Sequence, residues 1–195
     1  MSRKKKIGVI GLGYVGLKES IHIAKAGFEV IGFDIAETKI DLLNKSLSPI
    51  STVSNSDVSE YLKSGSSFTK SIRNLREVDI IIIAVPTPLD DENNPDLTYI
   101  EKAINFIKEI YVNQIIVLES TSYPGCSREM IGDEIYNSFG NHPRYGFCGE
   151  REDPGNPINF QNIARVLGAS DYETLNELED FYGSFISKLH LVSSV

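Results

Sequence analysis

The sequence predicts an α/β doubly wound fold, a mostly parallel sheet with helices on both faces. Three observations predict it. Short apolar runs alternate with segments of helical spacing along all 195 residues, the pattern of strands joined by crossover helices. Two of those runs, Asp79 to Val85 (D-I-I-I-I-A-V) and Gln114 to Leu118, are apolar without alternation, as strands covered on both faces are. The first run, Ile7 to Ile10, passes straight into the turn Gly11-Leu12-Gly13-Tyr14-Val15-Gly16, the strand–glycine–helix order of a βαβ unit that holds a dinucleotide.

The elements follow in order. After the turn a helix is expected from Tyr14 to Ala26, with Val15, Ile23 and Ala24 inward and Lys18 and Glu19 on the solvent side of its second turn. Val30 to Phe33 forms the second strand and ends on Asp34. A second amphipathic helix covers Glu37 to Leu43, with Ile40 and Leu43 three apart. Ser46 to Asp57 is a Ser/Asn/Pro loop, Val58 to Lys63 a short helix, and Phe68-Thr69 a short extended piece. After the strand ending at Val85, Pro86-Thr87-Pro88 and the acidic loop to Asp96 interrupt the chain. Asp96 or Thr98 then caps a helix reaching about Tyr111, with Ile100, Ile104 and Ile107 on one face. Pro124 is expected to open a helix to about Ser138, packed through Met130, Ile131 and Ile135. Strands at Arg144 to Cys148, Ile163 to Leu167 and Leu189 to Val192, and a helix at Tyr172 to Tyr182, complete a single domain of residues 1–195.

Composition narrows the function classes. A net charge of −8 argues against a nucleic-acid partner, which requires a basic face. The basic stretch Arg3-Lys4-Lys5-Lys6 reads as a solvated lead-in to the first strand. No apolar run approaches the ~20 residues that cross a bilayer, and glycines interrupt any signal-peptide core, so neither a membrane partner nor a leader is expected. Cys126 and Cys148 make no disulfide framework, and a reducing cytoplasm is the expectation. His22, His142 and His190 are scattered without ligand spacing, so no metal is expected.

The turn assigns roles by residue type. Gly11 permits the tight turn, Gly13 lets a pyrophosphate approach the backbone, and Gly16 lets the helix pack closely on the strands. The helix N-terminus offers free N–H groups and partial positive charge to the phosphates. Asp34 can accept both ribose hydroxyls of the adenosine half, and its charge would repel a 2′-phosphate, which favours NAD over NADP. A lone glycine turn is weak evidence; the strand before it and the acid after the next strand raise it. Further polar or glycine-rich segments follow strand ends at Pro86-Thr87-Pro88, Glu119-Ser120-Thr121 and Gly149-Glu150-Arg151, and are expected to share one rim with the turn.

In this order, G-L-G-Y-V-G-L, V-P-T-P, E-S-T-S-Y-P-G and G-E-R-E-D-P-G resemble the N-terminal half of the UDP-sugar 6-dehydrogenases (the UDP-glucose/GDP-mannose dehydrogenase superfamily), nearest to the UDP-N-acetylhexosamine 6-dehydrogenases of surface polysaccharide synthesis. The resemblance implies a Rossmann-like NAD-binding domain. It implies a whole enzyme that oxidises the C6 alcohol of a UDP-sugar to a carboxylate with two NAD and a cysteine thioester. By position it puts Leu12 to Val15 at the pyrophosphate, Asp34 and Lys39 at the adenosine ribose, and Thr87 and Thr121 along the nicotinamide half. It makes Glu150 the active-site glutamate that places water and substrate, with Arg151 beside it at the substrate. The family's catalytic lysine, thioester cysteine, central dimerisation helix and UDP-binding domain would all lie beyond Val195, so the homodimer is expected only of the longer protein and this chain alone is expected to be inactive. Two departures stand out: Lys18-Glu19 where the family usually has Pro-Leu, and Gly149 where it has proline. The competing readings are a stand-alone NAD-binding module and another hydroxy-acid or acyl-CoA dehydrogenase built on the same turn.

Overall fold

The computed structural model describes residues 4–89, 92, 94–149 and 162–193. One eight-stranded sheet runs in the order β3-β2-β1-β4-β5-β6-β7-β8. Its strands are β1 (Lys6–Ile10), β2 (Glu29–Phe33), β3 (Ser67–Thr69), β4 (Ile80–Ile83), β5 (Ile115–Leu118), β6 (Tyr145–Cys148), β7 (Arg165–Ala169) and β8 (Leu189–Leu191). The first six pair in parallel, in the 3-2-1-4-5-6 order of a doubly wound sheet. β7 pairs antiparallel with β6, and β8 runs parallel to β7.

The helices are α1 (Tyr14–Lys25), α2 (Glu37–Asn44), α3 (Asn55–Lys63), α4 (Thr98–Lys108), α5 (Glu134–Phe139) and α6 (Tyr172–Gly183), with a short 3₁₀ turn at Ile72–Leu75. Strand alternation divides the core in two. Ile7, Val9, Val30, Ile80, Ile82, Ile115 and Val117 pack with Leu17 and Ile21 of α1, Val58 and Tyr61 of α3, and Leu178 and Tyr182 of α6. Ile10, Phe33, Ile81, Ile83, Ile116 and Leu118 pack with Ile100, Ile104 and Ile107 of α4 and with Ile131 and Ile135. All four residues of β4 are completely buried, which is why that run shows no alternation.

The boundaries differ from the expectations in places with identifiable causes. α3 begins at Asn55, three residues before Val58, because Ser54 and Asp57 form a reciprocal capping box. Neither Asp96 nor Thr98 is the N-cap of α4: Leu97 takes that position without a side-chain bond, while Asp96, one residue earlier, accepts the backbone N–H of Thr98 at 2.9 Å. Pro124 and Gly125, the latter at φ +92°, form the turn that leads into the expected helix, which starts two residues later at Cys126. The chain then forms a π-helical segment, Arg128–Asp133, before α5. Gly132 within it faces the Tyr145 ring, where a Cβ would come within 3.0 Å, so only the smallest residue fits without displacing the ring. The strand expected at Ile163 starts two residues later, at Arg165.

The basic lead-in is tied into the domain. Lys4 Nζ donates to Gly27 O, and Lys5 and Lys6 form ion pairs with Glu177 and Glu29. Among the described residues no helix is long and apolar enough to cross a membrane.

Candidate functional site

The glycine turn joins β1 to α1 at the carboxyl edge of the sheet. Gly11 sits at φ +95°, and a Cβ there would lie 2.7 Å from Ala84 O; backbone conformation and space both demand glycine. Gly16 is tighter still, since its Cβ would fall 1.9 Å from Gly11 O. Gly13 is different. It precedes α1 with extended backbone, and a Cβ built on it meets nothing within 4 Å. The fold therefore does not need glycine at this position, and the bare backbone leaves a space in front of the helix N-terminus. No acid occupies the first turn of α1, so the partial positive charge of the helix end is available to an anion.

Two adjoining hollows flank this turn and share Val85 and Pro86 as a common wall. The first, of about 260 Å³, is lined by Gly11, Phe33, Asp34, Ile35 and Lys39, and by Tyr99, Lys102 and Phe106 of α4. Asp34 is buried at its centre. Its Oδ2 accepts from Leu12 N–H at 2.9 Å and from Lys39 Nζ at 2.5 Å, and its Oδ1 accepts from Ala36 N–H at 2.9 Å. The acid at the end of β2 thus pins the glycine turn as well as facing the hollow. Phe33 and Phe106 meet edge to face at 5.4 Å and supply an apolar wall for a planar ring.

The second hollow, of about 280 Å³, is lined by Gly13 to Val15, Ala84 to Thr87, and Glu119 to Thr121. Ser120 Oγ donates to Val85 O at 2.8 Å and fastens the end of β5 to the segment after β4. Thr121 is exposed and Thr87 half-buried at the rim, so their hydroxyls are accessible to a ligand. Glycine cradle, open helix end, an acid at one hollow and hydroxyls at the other fit a dinucleotide laid across the edge of the sheet.

Comparison with known proteins decides the family. The NAD-binding-domain model of the UDP-glucose/GDP-mannose dehydrogenase family matches residues 5–186. The chain belongs to this family and forms its NAD-binding domain. It is 34% identical to Protein CapL of Staphylococcus aureus over 98% of this chain and 46% of that protein. It is 32% identical to a UDP-N-acetyl-D-glucosamine 6-dehydrogenase of Salmonella typhi, over 93% of this chain and 44% of that one. In three dimensions it resembles a UDP-D-ManNAc dehydrogenase of Pyrococcus horikoshii, with a TM-score of 0.90 and 28% identity, covering 97% of this chain and 47% of the other. The chain spans about half the length of the curated relatives it matches.

Within this NAD-binding domain, Gly11 to Gly16, Asp34, Lys39, Thr87 and Thr121 come together along one edge. Glu150 and Arg151 lie outside the described residues. Tyr99, Lys102 and Phe106 were missed as site residues, although their i, i+3, i+7 spacing marks a second face of α4 beside the core face of Ile100, Ile104 and Ile107.

The expectation that Glu19 faces solvent is overturned. Glu19 is completely buried, and both its oxygens accept from Arg165 of β7, at 3.0 and 2.8 Å. The helix period places Val15, Glu19 and Ile23 on one inward face, and a matched guanidinium makes burial of the acid tolerable. Arg165 Nη1 also lies 3.5 Å from Glu119 Oε1, and Tyr182 donates its hydroxyl to the same oxygen at 2.6 Å. Burial opposes the charge on Arg165, yet Glu19 and then Glu119 push its pKa up overall. The two thiols are unreactive by environment. Burial, then the charge of Glu119, raises Cys148 well above the usual thiol range. Cys126 is buried beside the turn, and burial outweighs the proximity of a helix start, so its pKa rises as well.

Proposed function

We propose that this domain is the cofactor half of a nucleotide-sugar 6-dehydrogenase. The whole protein would oxidise the C6 alcohol of a UDP-sugar, in particular a UDP-N-acetylhexosamine, to a carboxylate with two NAD, for surface polysaccharide synthesis. The observation that carries this reading is the family match across residues 5–186 together with the two-part hollow along the sheet edge. The relatives favour the sugar class: the Salmonella protein is a UDP-N-acetyl-D-glucosamine 6-dehydrogenase and the Pyrococcus protein a UDP-D-ManNAc dehydrogenase.

In this reading Gly11, Leu12, Gly13, Tyr14, Val15 and Gly16 cradle the pyrophosphate, and Asp34 and Lys39 take the adenosine ribose. Thr87 and Thr121 line the nicotinamide side, Thr121 with a hydroxyl able to donate to an oxygen that gains charge. Glu150 would orient water and substrate, and Arg151 would contact the sugar nucleotide. Bound there, NAD supplies the hydride acceptor. The chain's own part is to bind, orient and wall off that end of the site. The nucleophilic cysteine, the catalytic lysine and the dimerising helix would belong to the rest of a cytoplasmic homodimer. Support comes from the thiols in hand, both buried with raised pKa. Calorimetric titration with NAD and NADP tests the cofactor half. NADH formation from UDP-N-acetylhexosamines by a chain extended to the relatives' length tests the remainder.

A further inference from the structure

A buried ionic cluster lies against the hollow that reads as the nicotinamide subsite. Glu119 lines that hollow together with Gly13 to Val15 and Thr121. Its side chain is completely buried, accepts from Tyr182 at 2.6 Å and lies 3.5 Å from Arg165 Nη1. Arg165 in turn gives its fork to both oxygens of Glu19, at 3.0 and 2.8 Å. Such a cluster is a poor device for stability alone, because desolvation offsets most of the attraction and apolar residues of similar size serve as well. Its position is the informative feature. Two carboxylates compete for one guanidinium, and the one that holds it less closely lies behind the wall of the hollow, on a residue that lines it. The uncharged neighbours do not dilute the effect. Burial and then Glu119 hold Tyr182 protonated, burial and then Glu119 hold Cys148 as the thiol, and burial followed by Lys18, Lys25 and Arg165 lowers His22 to about 4.

We propose that Glu119, with Glu19 drawing the guanidinium of Arg165 away from it, biases the nicotinamide subsite toward the oxidised, cationic ring over the reduced, neutral one. The proposal rests on reading the hollow between Gly13 and Thr121 as the place of that ring. The physical basis is charge alone. A carboxylate buried behind the wall attracts a positive ring and is indifferent to a neutral one. Glu19 does not line the hollow and acts as a positioning residue, since it decides how much of Arg165 is left to offset Glu119. A bias of this sign would help a site that must exchange spent cofactor for fresh cofactor between hydride transfers.

The test is a set of calorimetric affinities for NAD⁺, NADH and ADP-ribose, the last of which lacks the ring. Replacing Glu119→Gln, which keeps an acceptor for Tyr182, should lower the Kd ratio of NADH to NAD⁺ roughly five- to tenfold, the scale of one charge buried behind the wall of an open cleft. Glu19→Gln should lower it roughly two- to fivefold from outside the hollow. ADP-ribose affinity should hold in both. The triple variant Glu19→Leu, Arg165→Met, Glu119→Gln removes all three buried charges together and is expected to fold even if a single variant does not. Its ratio should fall to that of Glu119→Gln, since the charge is gone in both. A parallel loss of all three ligands, or an unchanged ratio in the charge variants, would reduce the cluster to a structural role and overturn the proposal. Thr121→Trp separates the two layers of inference. If this bulky rim residue weakens NAD⁺ but not ADP-ribose while the ratio ignores Glu119, the charge proposal alone fails. If it weakens neither, the ring docks elsewhere, and the underlying reading fails along with the proposal.

Discussion

Asp34 Oδ2 accepts the backbone N–H of Leu12 at 2.9 Å, so the acid that ends β2 holds the middle of the glycine turn that follows β1. The same oxygen takes Lys39 Nζ at 2.5 Å. A single carboxylate therefore sets the shape of the glycine turn and the charge of the hollow beside it, and its substitution should register in both.

Replacing Asp34→Asn is expected to narrow the preference for NAD over NADP. The amide keeps the size of the side chain but removes the charge that repels a 2′-phosphate, while Lys39 and Lys102 stay beside the hollow. Stability should fall by about 1–3 kcal/mol, because a buried charged acceptor of two backbone N–H groups and a lysine becomes a neutral one. Paired titrations at one salt concentration read the first effect and urea midpoints the second. Equal or tighter NADP binding by the unchanged chain would refute the assignment of Asp34.

Gly13→Val should leave the domain folded and abolish dinucleotide binding, with an affinity loss of roughly a hundredfold or more. The added Cβ meets nothing within 4 Å, so the side chain occupies only the space that the pyrophosphate needs. Gly16→Ala makes the contrast. Its Cβ would fall 1.9 Å from Gly11 O, and the forced shift of the turn should cost about 3 kcal/mol or more. Thermal melting beside calorimetry distinguishes the two; a folded Gly13→Val that binds as before would put the phosphates elsewhere.

His22 gives the domain an acid-sensitive limb. Burial first, then Lys18, Lys25 and Arg165, lower its pKa from 6.5 to about 4. In the unfolded chain the imidazole takes a proton near pH 6.5, whereas in the folded domain it does so only near 4. Between those values the unfolded state binds more protons, so stability falls as pH drops from about 6.5 to about 4 and levels off below. Solvent at the partly exposed ring trims the effect to about 1–2 kcal/mol. Urea midpoints at pH 7 and pH 5 should separate more in the unchanged chain than in His22→Gln. Equal separation would mean that other groups carry the limb.

The parallel half of the fold was readable because β1, β4 and β5 are short apolar runs without competing signals, and because Gly11 and Gly16 each answer a local steric demand. Glu19 was misread for a different reason. Its own helix puts it between Val15 and Ile23 on the inward face, but its partner Arg165 is 146 residues away. Charge outweighed period in the reading, and no local signal reveals a partner supplied by tertiary structure. The capping box of Ser54 and Asp57 was present in the sequence and simply lay inside a stretch whose Ser and Asn content reads as loop. Tyr99, Lys102 and Phe106, which line the hollow beside Asp34, were hidden by the stronger isoleucine stripe on the same helix.

The chain as it stands is expected to bind NAD yet fail to oxidise any UDP-sugar at a useful rate. Thr121 offers a hydroxyl at the rim of the hollow, but oxidation to a carboxylate needs a group that holds the intermediate aldehyde for a second hydride transfer. Neither thiol is suited to that work: Cys126 and Cys148 are buried, and burial raises the pKa of each, so little thiolate is present near pH 7. A cleft that aligns the substrate and excludes water also needs a second wall, and the relatives are about twice as long as this chain. The assay is NADH formation from UDP-N-acetylglucosamine, UDP-N-acetylmannosamine, UDP-N-acetylgalactosamine and UDP-glucose, run on this chain and on one extended to the relatives' length. Turnover confined to the extended chain would agree with a cofactor domain that borrows its nucleophile. Steady turnover by the short chain, lost on Cys148→Ala or Cys126→Ala, would instead place the nucleophile within these residues and overturn the inference drawn from their burial.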